Sequence, residues 1–187
     1  MEQQYLSDDV LEQIKDFKHR YLTEEQKLLI DKLIVNEELK KRYIKYNLCI
    51  ECKQPNTGNF WCQSCNGKHF QQNFENWTSG NPDIDKLIQE SQLSAKNYKE
   101  KLEWIEYDRF KNIEYIAKGG FGTIYKAIWK DGRIEDWNYE TNQWNRFKIT
   151  SNGIDVALKS LNNSKDVTLE FLNEVVFLMH NVILNLI

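Results

Sequence analysis

Four cysteines arranged as two Cys-x-x-Cys pairs, Cys49 with Cys52 and Cys62 with Cys65, are the residues of this 187-residue chain whose type and spacing most directly imply chemistry. Each Cys-x-x-Cys turn offers two thiolates, and two such turns complete the tetrahedral four-sulfur set that Zn²⁺ accepts at about 2.3 Å per bond. Pro55-Asn56-Thr57-Gly58 lies between the pairs, a turn signal that folds the second pair back onto the first. The intervening loop, residues 53–61, is shorter than the commonest ribbon spacing. With four cysteine ligands the site is closed, so the zinc expected here is structural rather than catalytic. Reduced structural thiols and a disulfide or redox pair are the alternatives. His69 is a spare ligand by type, with a helix-surface position as the competing reading, and Phe60 and Trp61 are expected to pack beside the sulfurs.

A second constellation begins at Ile116-Ala117-Lys118-Gly119-Gly120-Phe121-Gly122-Thr123-Ile124-Tyr125. Strand-like residues flank the glycines on both sides, whereas a dinucleotide-binding turn would lead into a helix. Backbone N–H groups in such a strand–turn–strand can face phosphates, and side chains at the glycines would block that approach. Val156-Ala157-Leu158-Lys159 follows as another strand, and Glu170-Phe171-Leu172-Asn173-Glu174-Val175 as a helix. In this order the three pieces resemble the protein kinase superfamily, in its tyrosine-kinase-like, fungal-type group, over residues 104–183. The resemblance implies an ATP-binding amino-terminal lobe. Ala117, Lys118, Gly119, Gly120, Phe121, Gly122, Ile124 and Ala157 would line the nucleotide. Lys159 would contact its α- and β-phosphates. Glu174, with Glu170 as the fallback, would pair with Lys159. The activity implied is phosphoryl transfer from ATP to protein hydroxyls, with no protein substrate or partner named by the sequence.

Three departures qualify the resemblance. Ala117 stands where the loop's first glycine is usual. Residues 130–154 form a long insertion between loop and lysine, with an Asp131-Gly132 turn signal and two indoles, Trp137 and Trp144. It reads as an extra hairpin, its aromatics serving either internal packing or a docking surface. No Asp-Phe-Gly occurs, and His19-Arg20-Tyr21 has tyrosine in place of the aspartate of a catalytic loop and precedes the glycines. Because transfer needs that aspartate and the Mg²⁺ ligands, these 187 residues alone are expected to be inactive. Two hypotheses remain open: a kinase lobe lacking its carboxy-terminal partner, or a non-catalytic zinc-binding adaptor carrying a kinase remnant.

The elements that must position these groups are α+β in class. Residues 1–46 read as a helical hairpin, with helices over 7–20 and 23–46. Ser7 is a candidate N-cap for the first, and Thr23 with Gln26 a capping box for the second. Residues 47–94 read as the four-cysteine zinc module with short helices, the last opened by Asn81-Pro82. Residues 95–103 read as a linker and 104–187 as the strand-rich lobe, with a helix over 168–180. A net charge of −3 gives no basic excess for nucleic acid or an anionic membrane. The start lacks a secretory pattern and Val175–Ile187 is too short to span a bilayer, so a cytoplasmic location with reduced thiols is expected.

Overall fold

The computed structural model describes residues 5–120 and 122–161. Phe121, and the expected helix with Glu170 and Glu174, lie outside the described residues. Within them the chain is α+β: helices first, then antiparallel sheet.

Two helices replace the single long one expected over 23–46. Helix α2 runs Glu24–Leu33 and α3 runs Glu37–Tyr46. Thr23 and Gln26 make the expected capping box on α2. The break follows because Asn36 competes for the backbone: its Oδ1 accepts from Leu39 N–H at 3.0 Å and starts a new helix, with Glu37 and Glu38 in the first turn. Asn36→Ala should destabilise the chain by about 0.5–2 kcal/mol, read as a lowered urea midpoint; an unchanged midpoint would show that the cap contributes nothing. The first helix is shorter than expected as well. Helix α1 covers Asp8–Ile14, not 7–20, and Ser7 occupies the N-cap position without a side-chain bond. The buried Tyr43 hydroxyl donates to the Ile14 carbonyl at 3.0 Å, a tertiary partner for an end-of-helix acceptor. Leu6, Val10 and Ile14 on one stripe close over Ile30, Ile34 and Tyr43 as the first core.

Helix α4, Gln63–Gln71, starts inside the second cysteine pair, and α5 covers Pro82–Ser94. Asn81 caps α5 through the N–H groups of Asp83 and Ile84, with Pro82 at the first position as expected. Residues 95–103 contain no helix or strand, yet they are firmly held. Trp61 Nε1 donates to the Ala95 carbonyl at 2.9 Å, and Gln92 Nε2 to that of Leu102 at 2.9 Å. Glu103 lies between Lys101, at 2.6 Å, and Arg146, at 3.0 Å.

The main sheet has the order β1-β2-β5, all antiparallel, from β1 (Phe110–Gly119), β2 (Gly122–Trp129) and β5 (Ile154–Leu161). Phe110, Ala127, Trp129 and Leu158 bury one of its faces. Between β2 and β5 the chain makes a separate two-stranded ribbon, β3 (Arg133–Asn138) with β4 (Gln143–Phe147). Glycine is needed where the ribbon leaves and rejoins the sheet. Gly132 has φ +70 and Gly153 φ +124, and a Cβ on either would fall within about 2 Å of a carbonyl oxygen, that of Phe147 or Trp129.

Candidate metal centre and the lysine-bearing sheet

Each cysteine pair is set by local hydrogen bonding. Cys49 N–H donates to the Gln54 carbonyl at 2.8 Å and Lys53 N–H to that of Cys49 at 3.0 Å, closing a turn in which Lys53 has φ 59. That turn is fixed to the helices. Gln54 exchanges two hydrogen bonds with the Leu6 backbone, and Arg42 donates to the carbonyls of Pro55 and Asn56. The second pair is placed by α4, with Cys62 as its N-cap and Cys65 in its first turn. Trp61, fully buried, packs against Phe70 of α4.

The result is a compact sulfur cluster. Cys49 Sγ lies 3.8 Å from Cys65 Sγ and Cys52 Sγ 3.7 Å from Cys62 Sγ, and all four sulfurs fall within 4.8 Å of one another. A tetrahedral centre with metal–sulfur bonds of about 2.3 Å requires sulfurs about 3.8 Å apart. The four thiols can therefore hold a metal ion such as zinc. Hydrogen bonds from Cys52 and Cys62 pull the Cys49 thiol far down. Cys62 is pushed up, first by its hydrogen bonds to Cys49 and Cys52, and Cys65 first by burial. Like charges this close do not ionise together without a cation. Metal uptake therefore releases protons.

Two neighbours behave differently from expectation. Phe60 does not pack beside the sulfurs; it has φ 52 at the loop tip and is exposed, while Trp61 takes the interior. His69 is neither a fifth ligand nor a free surface residue. Its Nε2 lies 2.9 Å from Glu51 Oε2, and its ring stacks on Trp137 with centroids 3.9 Å apart.

That stack belongs to a contact the sequence did not reveal: the β3–β4 ribbon lies on the four-cysteine module. Trp144 stacks on Phe70 at 4.3 Å and on Trp61 at 6.0 Å, and Ile134 joins them in a buried cluster. Tyr139, in the ribbon's turn, puts its hydroxyl 3.8 Å from Cys49 Sγ. Burial, then the neighbouring Cys49, pushes that phenol up, so it keeps its proton. Of the two roles open to the inserted indoles, internal packing is the one realised. The two tryptophans were the available signal; nothing in the sequence says which surface they meet.

The second set of residues gathers on the main sheet. Gly119 pairs with Gly122, so β1 and β2 turn between these two glycines. Ala117 pairs with Ile124, and Ile124 with Lys159, making one line across three strands. Ala157 is two residues from Lys159 and shares its face, while the buried Leu158 between them points to the core. Ala117 lies in β1 next to a register shift between Tyr115 and Ala117, and it is not at positive φ, so alanine needs no left-handed backbone there. Neither Gly119 nor Gly120 has a positive φ in the left-handed region, and among the described residues beyond its chain neighbours an added Cβ on Gly119 would come no closer than 3.9 Å.

No family model, no curated protein and no solved structure matches the chain. Among the described residues no helix is long and apolar enough to cross a membrane.

Proposed function

We propose that the chain is a nucleotide-binding lobe of the protein kinase kind, braced by a structural zinc held by Cys49, Cys52, Cys62 and Cys65. The observation that carries the reading is the register Ala117–Ile124–Lys159, which sets a lysine beside a glycine turn on one face of a three-stranded sheet. Gly119 supports it: an added Cβ there would come no closer than 3.9 Å to a described residue beyond its chain neighbours, which leaves room for the close approach of a ligand's phosphates. Lys159 and the N–H groups of the turn would hold the phosphates of ATP. Ile124 and Ala157 would offer apolar surface to the base. Zinc, when bound, supplies a four-thiolate cross-link with no open coordination position.

Titration calorimetry of the metal-loaded chain with ATP tests this. ATP is expected to bind more tightly than adenosine, since phosphate recognition is the function assigned to Lys159 and the turn. Lys159→Met should weaken ATP by about tenfold or more, the loss of a charge-assisted bond of roughly 1.5–3 kcal/mol. Radiolabelled phosphate should not move to a generic protein substrate, for want of a catalytic aspartate among these residues. A folded chain that binds neither ATP nor adenosine would refute the nucleotide reading and leave the zinc-binding adaptor in its place.

A further inference from the structure

The surface used by the β3–β4 ribbon is composite. Tyr139 contacts Cys49 of the first cysteine pair, whereas Trp137 and Trp144 lie on His69 and Phe70 of α4, which carries the second pair. The two halves are joined by the His69–Glu51 contact and through any ion that the four sulfurs share. An ion at the sulfurs fixes the distance between the first turn and α4, and so assembles the surface the ribbon needs. In return the ribbon brings a hydroxyl to a sulfur. Hydrogen bonds to ligating atoms orient them and offset the charge gathered at the centre.

We propose that the β3–β4 ribbon is a metal-dependent latch: Tyr139 donates its O–H to the Cys49 thiolate of the loaded site, so metal uptake locks residues 133–147 onto the four-cysteine module and the docked ribbon raises metal affinity. Linkage makes the two effects equal in size, because whatever factor docking adds to metal binding, metal binding adds to docking. The latch rests on the metal reading of the four cysteines and is independent of the nucleotide reading.

Two measurements on the full 187-residue chain test it: zinc affinity by competition with a chromophoric chelator, and hydrogen exchange of residues 133–147 with and without zinc. Tyr139→Phe keeps the ring and removes the hydroxyl. It should bind one zinc about 10- to 100-fold more weakly than wild type, the range seen when outer partners of metal ligands are lost. The cobalt-substituted variant should keep the charge-transfer bands of four thiolates, which separates a weakened site from an unfolded one. In the wild type, stripping the metal should speed exchange across 133–147 by about tenfold or more, and the Tyr139→Phe substitution should shrink that difference, as the linkage requires. Trp137→Phe, which weakens the stack on His69, should shift both readouts in the same direction. Zinc affinity unchanged in Tyr139→Phe, or equal ribbon protection with and without metal, overturns the latch and leaves the metal site standing. A wild type that takes up no zinc with its thiols reduced overturns the metal reading and the latch together.

Discussion

Cys62→Ser is expected to abolish zinc uptake and to unfold the chain between Leu48 and Phe70. Cys62 is buried, its sulfur lies 3.7 Å from that of Cys52, and it sits at the junction where Trp61 leads into α4. Serine at this position supplies a neutral oxygen in place of a soft thiolate, and three sulfurs then face one another without a fourth. Structural zinc sites contribute about 10–16 kcal/mol of apparent binding energy, all of it coupled to folding. That matches or exceeds the roughly 5–15 kcal/mol that holds a typical domain together. Apart from the aromatic cluster at Trp61 and Phe70, the segment's buried core is Cys49, Cys62 and Cys65 themselves. Metal content of the purified protein should fall from one equivalent to none, and Trp61 emission should shift to the red as its buried site opens. One equivalent retained in Cys62→Ser would show that Cys62 is not a ligand. Wild-type affinity should also weaken as pH falls, because Cys62 and Cys65 hold their protons more tightly than an ordinary thiol and must lose them to bind.

Glu103→Ala should cost about 3–5 kcal/mol of folding stability at neutral pH, the range for removing one partner of a buried ion pair. The Glu103 side chain is 9% exposed and that of Lys101 3%, so loss of the carboxylate leaves an ammonium buried without its counter-charge. Arg146 loses its carboxylate in the same step, keeping its bond to the Gly132 carbonyl, and the Ile134 N–H loses its acceptor. The effect depends on pH. Burial would by itself raise the Glu103 carboxyl, but Lys101, Arg146 and the hydrogen bonds from Lys101 and Ile134 outweigh it and hold it below the ordinary value. A group held low when folded contributes its stability in full above its unfolded value, about 4.3, and loses it as pH falls through the lower folded value. The gap between wild type and Glu103→Ala should therefore be largest at neutral pH and close in acid. Urea unfolding at neutral pH and in acid below the unfolded carboxyl value measures it; a gap that stays constant would mean that packing, not charge, holds the site.

The segment around Glu103 also shows where local pattern stops being informative. Residues 95–103 are charged and carry no apolar period, which is how a linker looks. Their order comes from partners distant in the chain, such as Trp61 on Ala95 and Arg146 on Glu103. Local pattern carries no trace of such pairs. The helix breaks at Ile14 and Asn36 divide along the same line. Asn36 with two glutamates behind it is a readable cap, masked by an apolar stripe that continues through it. The end of α1 depends on Tyr43, 29 positions along the chain, and no local signal marks it.

The chemistry that is local in the chain could be read from the residues alone. Two Cys-x-x-Cys pairs around a turn are a metal-binding set at any orientation, and glycines between strand-forming residues are a tight β turn. The Asn81-Pro82 start of α5 and the Thr23 capping box are equally local, because each is closed by atoms two or three residues apart. The tertiary structure alone decided how these parts address one another. Register across β1, β2 and β5 puts Lys159 in line with Ile124 and Ala117, a relation that strand pairing fixes and sequence order does not. The inserted ribbon, which could have faced a partner, turns its indoles and Tyr139 onto the module that holds the four sulfurs. Its aromatic rings and the module's Trp61, Phe70 and His69 bury each other's surface, and that complementarity exists only once both have folded.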